Sequence, residues 1–151
     1  MRTATMRWAW FRRRTDHIIN LTFSVEYQPL VDEITRLSNE VVARSGRRRI
    51  PVAIKSMIAD LRILAAHKKR RSVAECEGLY RDRVQFGFLT LSDEATAVGA
   101  HARYCRDVGE WELAKNYLES VLKKIRSSQR KARPSIPPEV EAALQAMLRS
   151  V

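Results

Sequence analysis

The stretch GEWELAKNYLESVLKKI, residues 109–125, decides the fold class. Trp111, Ala114, Leu118, Val121, Leu122 and Ile125 recur at intervals of three and four, which gathers them on one side of a helix and scatters them over both faces of a strand. Gly109 ends the helix before it. That preceding helix opens at Ser92, a cap followed by Asp93 and Glu94 where a helix start favours negative charge, and it presents Ala95, Val98, Ala102 and Cys105.

Upstream the same reasoning predicts three more helices. Pro29 suits a first turn, Leu30, Ile34, Leu37 and Val41 share a face, and Gly46 stops the run. Pro51 opens the next, with Ile54, Ile58, Leu61 and then Leu64 or Ala65 facing inward. Ser72 with Glu75 reads as a capping box ahead of Val73, Cys76 and Leu79 or Tyr80. Downstream, residues 127–138 hold three prolines and no apolar period, the composition of a linker. Pro138 then starts a short helix with Val140, Leu144, Met147 and Val151 on one stripe. A helix that short is marginal alone, so the stripe docks on the chain's own body or in a partner's groove, the body being preferred.

One segment breaks the helical pattern. Ile19, Leu21, Phe23, Val25 and Tyr27 alternate with polar residues at period two, the signature of a half-buried strand. A strand needs a partner, and residues 84–91, rich in aromatic and β-branched side chains, supply one. Either 17–27 pairs with 84–91, or the first is an extended arm and the second finishes a helix. The expectation is a mostly α protein: an antiparallel bundle of about five helices plus a C-terminal helix, with that minor two-stranded element. Its parts are a basic leader or tail at 1–16, a helical domain at 17–126, a linker at 127–138 and the C-terminal helix at 139–151.

At 151 residues with 45% hydrophobic content, the chain buries a core without disulfides or metals. Two cysteines, Cys76 and Cys105, are too few for a secreted disulfide scaffold. No run approaches a membrane span, and the apolar Trp8 to Phe11 is too short for a secretory signal, so an intracellular, soluble protein is expected. An acid-poor, arginine-bearing start is also the composition of an organelle transit leader.

Residues 95–125 resemble a tetratricopeptide-type helical hairpin. Ala102, Gly109, Ala114, Leu118, Val121 and Leu122 carry the likeness, most of it within GEWELAKNYLESVL. The family's proline after the second helix is missing, and no copy recurs 34 residues upstream. The resemblance implies protein–protein or adaptor binding.

Charge sets the partner class. Twenty-eight Lys and Arg against 17 Asp and Glu leave +11, which attracts polyanions. The cations cluster as Arg12, Arg13 and Arg14; Arg44 with Arg47, Arg48 and Arg49; Lys68, Lys69, Arg70 and Arg71; and Lys123, Lys124, Arg126 and Arg130, with Lys131 and Arg133 beyond. One or two cations complement the negative end of a helix, but three or four in a row point to a solvated face or an anion site. Alternating helices would join Arg47, Arg48 and Arg49 with Lys123, Lys124 and Arg126 in one basic pole. Trp8 and Trp10 among the leader arginines suit base stacking, with an inert tail as the bland alternative and a membrane interface less favoured than nucleic acid.

Enzyme chemistry is not expected. His101 and Cys105 share a helix face and, with His67 or Cys76, would reach three metal ligands, yet zinc sites normally show two close-spaced pairs. Five scattered glycines build no phosphate-cradling loop. A helix-turn-helix at Asp107, Val108 and Gly109 would place Glu110, Glu112 and Glu119 against phosphates. The reading is a non-enzymatic, cofactor-free binding protein with RNA or DNA as first partner, an acidic protein as alternative, a membrane surface less favoured and no small-molecule substrate.

Overall fold

Leu30, Ile34, Leu37 and Val41, spaced four, three and four residues apart, are all buried along one side of a 19-residue helix. The structure, a computed structural model, describes residues 8–129 and 136–151. These hold α1 (Ala9–Leu21), α2 (Tyr27–Ser45), α3 (Val52–Lys68), α4 (Val73–Val84), α5 (Leu91–Asp107), α6 (Trp111–Gln129) and α7 (Pro138–Arg149). Two compact units result, Met1–Phe86 and Gly87–Val151, where the sequence reading placed one domain.

In the first unit α1 runs antiparallel to α2, because Arg14 reaches Glu40 at 2.7 Å while the earlier Trp10 meets the later Arg44. α3 folds back on α2, and α4 on α3, where the buried Arg83 holds Asp60 at 2.7 Å. Phe11, Ile18, Leu30, Ile34, Leu37, Val41, Ile58, Leu61 and Ala65 form the core. One end of the unit therefore gathers the α1–α2 and α3–α4 turns. The other gathers the start of α1 and the α2–α3 connection.

The expected β element is not there: among the described residues no strand occurs, and α1 is a helix beyond the number expected. Its buried stripe is Phe11, Thr15, Ile18 and Thr22, and the two threonines disguise a helical period as polar sequence. Each hydroxyl donates back to its own helix, Thr15 to the Arg12 carbonyl at 2.8 Å and Thr22 to that of Ile19 at 2.6 Å, so burial leaves neither unsatisfied. The apparent alternation ran from the end of α1 into its turn, and it counted as core Ile19 and Phe23, which are exposed. Residues 84–91 end α4 and begin α5.

In the second unit Glu94 meets Lys124 and His101 meets Tyr117, so α5 and α6 are antiparallel. Arg106 bonds Ser150 and Gly99 faces Leu144, so α7 runs parallel to α5. Leu144 and Met147 of α7 are buried, the stripe docking on the chain itself. α5 is capped by Thr90, whose hydroxyl accepts from the Asp93 N–H at 3.0 Å, rather than by Ser92. Among the described residues, no helix is long and apolar enough to cross a membrane.

Two substitutions probe these packings. Phe11→Ala should cost about 3–5 kcal/mol in denaturant unfolding, where a dispensable leader would lose nothing. At Gly99 an added Cβ would lie 3.1 Å from Leu144 Cδ2. Gly99→Leu should therefore cost about 1–3 kcal/mol and expose residues 138–149 to limited proteolysis.

Candidate functional site

Two basic ends of the first unit carry most of the cationic residues singled out in the sequence. At the end formed by α1 and the α2–α3 connection, the tryptophans are part of the architecture. Trp8 and Trp10 stack with centroids 6.2 Å apart and both pack edge-on against Phe11, half-buried on the core. The Arg44 guanidinium covers the Trp10 ring at 4.1 Å and pairs with Glu40 at 2.8 Å. These rings anchor the helix, and the Trp10 face is already occupied by a cation.

Arg47, Arg48 and Arg49 follow directly and are exposed. Among the described residues, no carboxylate lies within ion-pair distance of any of them. Gly46, at φ +58°, turns the chain out of α2, so the three arginines follow the helix end rather than lying in its last turn. Arg12 and Arg13 point outward from α1 and are likewise without an ion pair among the described residues, whereas Arg14 is taken up by Glu40 and Glu33. A cleft of about 300 Å³ between α2, α3 and α4 is lined by Lys55, Arg62, Ile58 and Ala59 of α3 and by Asp82 of α4.

At the other end the Ser72 hydroxyl caps α4 by accepting from the Glu75 N–H at 3.2 Å. The reciprocal half of the expected capping box is absent, because the Glu75 carboxylate is engaged elsewhere. It accepts from Arg71 Nε at 2.8 Å and from the Tyr27 hydroxyl at 3.1 Å, and the Arg71 guanidinium lies 4.4 Å over the Tyr27 ring. Lys68 Nζ sits 5.7 Å over the ring of Phe23, while Lys69 and Arg70 occupy the turn between the helices. The sequence reading took Phe23 and Tyr27 for strand residues and so missed this pairing. Their four-residue spacing, ahead of cations three apart at Lys68 and Arg71, was the available signal.

The remaining candidates belong to the second unit. Lys124 bonds Glu94 at 2.5 Å, and Lys123 and Arg126 are exposed; Arg130 lies outside the described residues. The single pole expected to unite Arg47, Arg48 and Arg49 with Lys123, Lys124 and Arg126 thus draws on both units, and each cluster stands within its own. His101 and Cys105 are fully buried, with Nε2 and Sγ 3.8 Å apart and the imidazole edge-on to Tyr117. His67 and Cys76 belong to the first unit.

Comparison with family models, with curated proteins and with solved structures finds no match to this chain.

The Tyr27 phenol is held above its ordinary value, first by burial, then by the hydrogen bond and negative charge of Glu75, against the opposing Arg71. A folded pKa above the unfolded one adds stability that is complete below about pH 10 and lost as pH rises through the folded value. Glu75→Gln should bring Tyr27 part of the way back toward 10, read as phenolate absorbance at 295 nm in an alkaline titration; burial keeps the remainder.

Proposed function

We propose that this chain is a non-enzymatic, nucleic-acid-binding accessory protein that contacts phosphates through its basic helix ends. The observation that carries the reading is the exposed run of Arg47, Arg48 and Arg49, without a carboxylate partner among the described residues. Arginine presents a rigid fork of donors that matches phosphate oxygens, and three in a row supply a continuous cationic strip. The net charge of +11 adds long-range attraction for a polyanion. Arg12, Arg13, Lys123 and Arg126 extend the available contacts within their own units.

The test is a salt titration of oligonucleotide affinity. Each lost phosphate contact flattens the plot of log affinity against log salt by about 0.7 to 0.9. Charge reversal of Arg47, Arg48 and Arg49 to glutamate should therefore weaken binding at least about tenfold at low salt and flatten the slope by about 2. If affinity and slope both stay put, the run is a solvated helix end and the reading falls. The purified chain should also carry a raised 260/280 absorbance ratio until high salt strips it.

A second reading, a helical adaptor whose basic surface meets an acidic protein, draws on the α5–α6 hairpin. There Ala102 and Ala114 are fully buried, as close approach of two helices requires. An adaptor would purify free of nucleic acid.

A further inference from the structure

Phe23 is 75% exposed, although the chain has a core in which an aromatic ring is worth about 1.5–3 kcal/mol when buried. It is not on a loose loop. The Phe23 N–H donates to the Asn20 carbonyl, and those of Ser24 and Val25 to Leu21, at 3.0–3.3 Å, so the turn after α1 holds the ring out in a fixed position. Lys68 stands over one face of that ring at 5.7 Å, yet the ring keeps most of its surface open, unlike the half-buried Trp10, and Lys69 and Arg70 come next in the chain.

Arg70 is peculiar in its backbone. Its φ of +51° is the only positive value at a non-glycine among the described residues. The position follows α3, where the Arg70 N–H donates to the His67 carbonyl and the Arg71 N–H to that of Ala66, closing the helix end. Glycine is the residue that fits such a site without steric cost. An arginine there adds an exposed cation to the turn that follows Lys68, at the expense of backbone ease. Arg71, by contrast, is engaged by Glu75 and Tyr27 and so holds the turn in shape. Among the described residues, no carboxylate lies within ion-pair distance of Lys68, Lys69 or Arg70.

We propose that Phe23 with Lys68, Lys69 and Arg70 forms a platform for single-stranded nucleic acid, the ring stacking on an unpaired base while the three cations follow the backbone. This rests on the nucleic-acid reading above and names the ligand class. A duplex offers no free base face to a lone exposed ring, whereas a single strand presents one at every nucleotide. An anionic membrane fits less well. Beside the ring only Ile19, at the end of α1, is an exposed large apolar residue of that segment, which falls short of the broad apolar face that interfacial binding requires.

The experiment measures fluorescence anisotropy of the full chain with a 20-nucleotide oligouridine, a duplex of equal length and phosphatidylserine vesicles. Oligouridine should bind more tightly than the duplex at one ionic strength. Phe23→Ala should weaken oligouridine binding about tenfold or more and leave duplex binding and melting temperature unchanged. Phe23→Trp should retain affinity and quench more strongly on oligouridine binding than the parent chain with its three tryptophans does. Arg70→Gly should weaken oligouridine binding several-fold at an equal or higher melting temperature, which keeps the test open if the Phe23 variants fold poorly.

If Phe23→Ala and Arg70→Gly both leave oligouridine affinity intact while reversal of Arg47, Arg48 and Arg49 abolishes it, the platform is wrong and the phosphate reading stands. If the parent chain binds no oligonucleotide, both fall. If Phe23→Ala removes vesicle binding alone, the ring serves a membrane and the platform is wrong.

Discussion

Because Leu30, Ile34, Leu37 and Val41 must all be withdrawn from water along one side of α2, both of its chain neighbours fold back upon it. That requirement places everything else in the first unit. α1 lies along α2 with Phe11 and Ile18 buried, so its arginines face outward or reach across to Glu33 and Glu40. Two reversals bring Phe23 to the α3–α4 turn and leave Arg47, Arg48 and Arg49 at the far end. A charged head cannot enter the apolar centre without losing hydration, so the cations collect where the helices stop.

Pairing does not explain their number. Arg14, Arg36, Arg44, Arg71, Arg83, Arg106 and Lys124 have carboxylate partners. Most of these pairs are exposed or half-exposed, and such contacts contribute about 0–1 kcal/mol. Arg83 differs, because its side chain is only 8% exposed and its bond to Asp60 satisfies a buried charge. The arginines and lysines outside these pairs repel one another over a screening length of about 10 Å, which opposes compaction. They cost stability where they stand, and no ion pair among the described residues offsets that cost.

Much of the fold was legible in the sequence because six of the seven helices show apolar residues at intervals of three and four, most of them beside a proline, a capping serine or a glycine. Ser72 and Gly46 do at their helix ends what their residue types imply. α1 was not legible, since half of its buried stripe is threonine and its aromatic residues sit among arginines. Nor was the division after Phe86, because no proline or polar tract marks it. At the basic ends the sequence supplied the cations but not their neighbours. That Arg44 covers Trp10, or that Lys68 stands over Phe23, depends on which helices run side by side, and residues more than 30 apart give no sign of meeting.

Each helix packs chiefly on the one before or after it in the chain, α1 on α2, α3 on α4, α5 on α6 and α6 on α7. Closing contacts between near neighbours in sequence requires only short loops to be ordered, and helical domains of this topology fold in microseconds to milliseconds. Synthesis adds only about 5–20 residues per second. The four helices up to Phe86 therefore assemble well within the seconds that synthesis of Gly87–Val151 takes. The nascent chain shields its apolar stripes early, and its arginines are fixed on a folded scaffold before the second unit is complete.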